Sequence, residues 1–96
     1  MEKNEIIILL RRFKNMNRDK YSIKKIGIFG SATRENLTEQ SDIDVVVVLE
    51  KPDLLNIIGI KQDLEEQFHQ SVDVIRYRPK MNQFLKQRID KEAVYV

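Results

Sequence analysis

Ninety-six residues are enough for one domain, residues 1–96, and a chain this short buries only a modest share of its surface, so a protein partner is a natural expectation. A 42% hydrophobic and 33% charged composition excludes a disordered chain, and the lack of cysteine excludes a disulfide framework or a thiolate zinc site. The net charge of +2 suits a polyanionic small ligand or an acidic partner, and direct nucleic-acid binding is not expected.

The first element is helical. Ile6, Ile7, Leu9, Leu10 and Phe13 recur at helical spacing from Glu2 to Asn15, with Met16 a turn further on, and the polar stretch Asn15 to Asp19 is expected to end the helix. The same segment, MEKNEIIILLRRFK, has an apolar core of five residues between charges, which reads as neither a signal peptide nor an anchor. No apolar run elsewhere approaches the roughly 20 residues that span a bilayer, and a cytoplasmic address is the default.

Ile23 to Phe29 reads as a strand ending at Gly30. Ile43 to Leu49 is a strand with apolar residues on both faces, hence central in its sheet and covered on each side. Asp53 is placed to cap a helix that runs through Leu54, Ile57, Ile58, Leu64 and Phe68. Val72 to Tyr77 forms a third strand, Pro79 ends it, and Met81 to Lys91 returns to helix through Phe84, Leu85 and Ile89. The tail Ala93 to Val96 is either a short edge strand or a partner-binding end. The expected fold is an α/β (α+β) domain with a small mixed sheet packed with helices.

The chemistry lies in GSATRENLTEQSDIDVVVV. Asp42 and Asp44 are two apart on an extended backbone, so their carboxylates share a face and repel each other. A hard divalent cation such as Mg²⁺ relieves that repulsion through oxygen ligands. Asp73 in SVDVIRY lies opposite Val72 and Val74 on its strand, and joins the other two if that strand pairs beside Ile43 to Leu49. Gly30 allows a phosphate close to the backbone, Ser31 offers a hydroxyl to a phosphate oxygen, and Arg34 brings a fixed positive charge. Cradle and carboxylates together make a site for a metal-bound nucleoside triphosphate.

Gly30-Ser31, ten residues, then Asp42-x-Asp44, with VDV downstream, resembles the signature of the polymerase-β-type nucleotidyltransferase superfamily, and most of all its minimal (MNT) members. The resemblance covers roughly Ile23 to Tyr77. It implies attack of an acceptor hydroxyl on the α-phosphate of ATP, with pyrophosphate leaving and two Mg²⁺ ions stabilising the attacking and leaving oxygens. It further implies that Asp42 and Asp44 hold the metals, that Asp73 holds the nucleophile-side ion and helps deprotonate the acceptor, and that Gly30 and Ser31 hold the β- and γ-phosphates. Glu35 stands where the family often has glycine, which bears on the role of Arg34. With no room for a substrate domain, the acceptor is expected on a second copy or another protein. The resemblance points to a tyrosine of a helical HEPN-type toxin, modified with AMP by its antitoxin. The alternative is a binding module that neutralises its partner by occlusion, without chemistry.

Competing readings are simpler. Ser41 to Asp44 also matches a helix capping box, which the four following valines oppose. Asp73 can be an ordinary surface acid, and His69 a helix-end residue. Arg76, Arg78 and Lys80 read as a solvated edge. Tyr77 and Tyr95 read as packing residues, or as targets of self-modification.

Overall fold

The computed structural model describes residues 2–33 and 42–96. Helix α1, Lys3–Tyr21, leads into strand β1, Ile23–Phe29, and a 3-10 turn, Gly30–Thr33. Strand β2, Ile43–Leu49, is followed by helix α2, Leu54–Phe68, strand β3, Val72–Arg76, helix α3, Gln83–Glu92, and strand β4, Val94–Tyr95.

α1 outruns the sequence expectation. The polar stretch from Asn15 to Asp19 does not break it, because that stretch lies largely on the solvent side while Tyr21, two turns past Phe13, buries its ring beneath the same face. The two rings stack at 6.2 Å, and the Asn17 side chain donates to the Phe13 carbonyl. Met16, expected on the apolar face, is exposed. Ser22 then stops the helix in the left-handed conformation, its N–H donating to the Arg18 carbonyl.

The sheet order is β3-β2-β1-β4, so β2 is interior as its unbroken apolar run requires. β1 pairs antiparallel with β2, setting Ile28 opposite Val45 and Phe29 opposite Asp44. β2 pairs parallel with β3, setting Asp44 opposite Asp73. The crossover between these parallel strands is α2, started by Asp53, whose carboxylate accepts from the Leu55 N–H at 2.9 Å. His69 caps its other end with φ 55°. The tail resolves as an edge strand: β4 pairs antiparallel with β1, Tyr95 opposite Gly27. Any Cβ on Gly27 would stand 2.5 Å from the Val94 carbonyl oxygen, so β4 approaches this closely only because the residue is glycine.

Each face of the sheet is covered. On one, Ile6, Leu10 and Phe13 of α1 and Ile60, Leu64 and Phe68 of α2 meet Ile26, Ile28, Val45 and Val47. On the other, Ile89 of α3 and Met81 meet Phe29 and Val46. α3 starts later than expected, at Gln83 with Asn82 as its cap, and Phe84 points to solvent instead of the core. The thinner second layer places α3 over the strand ends that carry Gly30 and Asp44. No helix among the described residues is long and apolar enough to cross a membrane.

Candidate active site

Register builds the acidic cluster. Asp44 is the second residue of β2, and its parallel partner across the ladder is Asp73 of β3, so the two carboxylates leave the same face at neighbouring positions. Asp42 stands just before the strand, exposed, and no helix begins there, which removes the capping-box reading. Asp73 is exposed as well, whereas Asp44 is half-buried. Burial pushes the Asp44 carboxyl above the usual carboxylate range, and the nearby charges of Asp73 and then Asp42 push it the same way. Two features oppose the rise, the Arg88 guanidinium and a hydrogen bond from the Ser31 N–H.

The Gly-Ser turn is tied to this cluster. Gly30 has φ +63°, a left-handed conformation in which a side chain is strained. A Cβ there would collide with the Asp44 carboxylate and stand 2.9 Å from a terminal nitrogen of Arg88. The turn is held by the Thr33 hydroxyl, which donates to the Gly30 carbonyl at 2.7 Å. Two details differ from the sequence expectation for a phosphate cradle. The Ser31 hydroxyl donates to the Asp42 carbonyl at 3.2 Å, and the Gly30 N–H donates to the Glu92 carboxylate at 3.1 Å. Arg34, Glu35 and most of the ten-residue spacer lie outside the described residues.

Arg88 and Glu92 escaped sequence reading. They come from α3, some sixty residues downstream of the Gly-Ser pair, and only the packing of Ile89 brings them to the turn. The Arg88 guanidinium lies over the Phe29 ring, 5.9 Å from its centroid, and its Nε donates to Glu92 at 3.3 Å. The one local signal is their spacing of four on a helix, which many surface pairs share.

The donor set is oxygen throughout, and the repulsion on Asp44 is only partly offset, so these residues fit a hard divalent cation. Among the described residues no three acidic, His or Cys side chains already stand close enough to enclose one. Asp42 and Asp73 are solvent-exposed, and drawing them in is the work such a cation would do.

Comparison with known proteins identifies the family and the fold. The nucleotidyltransferase domain model matches residues 10–96. The chain belongs to the nucleotidyltransferase domain family. Protein adenylyltransferase MntA of Thermococcus cleftensis is 31% identical to this nucleotidyltransferase over 93 residues, spanning 96% of the chain and 93% of the relative. A Methanocaldococcus jannaschii chain provisionally named protein adenylyltransferase MJ0128 is 35% identical over 94 residues, covering 97% and 96% of the two chains. Among solved structures, a toxin-antitoxin crystal structure with AMP-PNP superposes with a TM-score of 0.71 at 25% identity, covering 99% of this chain and 72% of that one. Fold and enzyme class are therefore those of a small nucleotidyltransferase.

Proposed function

We propose that this nucleotidyltransferase is a cytoplasmic antitoxin that moves AMP from ATP to a tyrosine hydroxyl on a HEPN-type toxin partner. The observation that carries the reading is the register of Asp44 opposite Asp73, with the Asp44 carboxylate set against Gly30. It is supported by relatives named protein adenylyltransferases, and by a toxin-antitoxin structure of the same fold with an ATP analogue.

In this mechanism Asp42, Asp44 and Asp73 would hold Mg²⁺. When bound, the ions supply Lewis-acid stabilisation to the attacking and leaving oxygens. The acceptor oxygen forms a bond to the α-phosphorus as the bond to the bridging oxygen breaks, and pyrophosphate carries away the electron pair. Asp73, exposed at the sheet rim, takes the acceptor's proton. Gly30 and Ser31 steady the β- and γ-phosphates, with Arg34 contributing charge. In this reading the toxin partner delivers the acceptor hydroxyl.

Incubation with α-labelled ATP, Mg²⁺ and the protein encoded beside this one tests the proposal. Label is expected on the partner, and Asp42→Asn/Asp44→Asn is expected to lower its transfer at least about a hundredfold. Absence of label, with the partner still neutralised by the double variant, would replace catalysis with occlusion.

A further inference from the structure

We propose that Arg88 is a phosphate-binding residue of this site, and that Glu92 is the internal anion it exchanges for the phosphates of the nucleotide. The inference rests on the nucleotidyl-transfer reading above and adds to it two residues that no part of the Gly-Ser and Asp-x-Asp pattern contains.

Position comes first. Ile89 is fully buried under the sheet, which fixes the rotation of α3 and sends the adjacent Arg88 toward the end of β1. There its guanidinium flanks Gly30 on the side where the Asp44 carboxylate also crowds in. Among the described residues it is the one cation whose charge acts on Asp44. Its side chain is 49% exposed, so the planar fork is reachable from solvent. Such a fork matches phosphate oxygens better than a lysine does.

Glu92 occupies an unfavourable place for a carboxylate. It is the last residue of α3, where the helix dipole disfavours negative charge. Its order relative to Arg88, acid after base, is the weaker arrangement of a four-residue pair. What holds it is one bond within the helix and one tertiary bond. The same oxygen, Oε2, accepts from both the Gly30 N–H and Arg88 Nε. Those are two donors that a phosphate oxygen would seek, converging on one point. A carboxylate oxygen there satisfies them until a more highly charged oxyanion arrives. Triphosphate then takes the guanidinium and the amide, and repels Glu92 outward.

Calorimetric titration with ATP and with AMP, each with Mg²⁺, tests this on wild type, Arg88→Gln and Glu92→Gln. Loss of the guanidinium should weaken ATP about 10- to 100-fold, the range for a hydrogen bond to a charged group, and AMP much less. Removing the competing charge should do the reverse, tightening ATP about 2- to 10-fold. A merely structural role for either residue predicts equal changes for ATP and AMP. Equal changes, no change in Arg88→Gln, or weaker ATP binding by Glu92→Gln would each overturn the inference. Should Arg88→Gln fail to fold, Arg88→Lys carries the test: it retains charge without the fork and should weaken ATP more than AMP, and unaltered binding overturns the proposal. Wild-type protein that binds no ATP would sink the nucleotidyl-transfer reading itself. Wild type that binds ATP and transfers AMP, beside unaffected Arg88 and Glu92 variants, would sink this inference alone.

Discussion

Gly30 concentrates more constraints than any other residue near the site. Its N–H is bonded to Glu92, and its positive φ and the carboxylate and guanidinium against its Cα exclude a side chain. Gly30→Ala is expected to cost about 1–3 kcal/mol of stability in chemical denaturation, and to abolish ATP binding in folded protein, since the methyl must displace Asp44 or Arg88. Tyr21 offers a second test at this scale, remote from the site. Its hydroxyl donates to Asp63 at 2.5 Å, and burial first, then that bond and the Asp63 charge, raise its pKa above the usual value of about 10. A raised folded pKa means the contribution is complete below the unfolded value and is lost as pH rises through the folded one. Stability should therefore decline above about pH 10, and Tyr21→Phe should flatten that part of the profile.

At the scale of elements, α3 is the one on which the site most depends and the one least buried. Its sole fully buried side chain is Ile89, in the small cluster with Phe29, Val46 and Met81. Ile89→Ala is expected to cost about 2–5 kcal/mol and to weaken ATP binding in whatever fraction stays folded, because Arg88 loses its bearing on the turn. Equal truncation at Leu64, in the larger cluster under α1 and α2, should lower stability by a similar amount yet leave ATP affinity of the folded protein unchanged. Denaturation curves paired with calorimetry separate the two effects. α2 and β3 act differently: the crossover they form imposes the parallel register that sets Asp73 beside Asp44.

For the molecule as a whole, burial and the charges of Asp73 and Asp42 disfavour the ionised Asp44, a cost that a bound cation would relieve under the proposed function. Marginal stability, about 5–15 kcal/mol for proteins in general, makes that relief measurable. Mg²⁺ and ATP at a hundred times their Kd should add about 2.7 kcal/mol to unfolding, seen as a higher Tm. Asp42→Asn/Asp44→Asn should lose this added stability, while being at least as stable as wild type without ligand, since the repulsion around Asp44 is gone. A double variant that keeps the full ATP-dependent shift would place nucleotide binding elsewhere on the chain.

Much was legible in the chain itself. Alternation and apolar runs mark elements because a period of two or of 3.6 residues is a local property of the backbone, and so β1, β2, α2 and β3 lie close to where their residues indicate. Asp42 and Asp44 were legible for the same reason, their spacing and the valines after them being adjacent in the chain. What required tertiary structure is what joins distant segments. Tyr21 anchors α1 past a polar turn that local pattern reads as an end. The pairing of β2 with β3 decides that Asp73 stands beside Asp44. Arg88 and Glu92 reach the Gly-Ser turn only because Ile89 packs on the opposite face of the sheet, a contact between residues some sixty positions apart that no local pattern encodes.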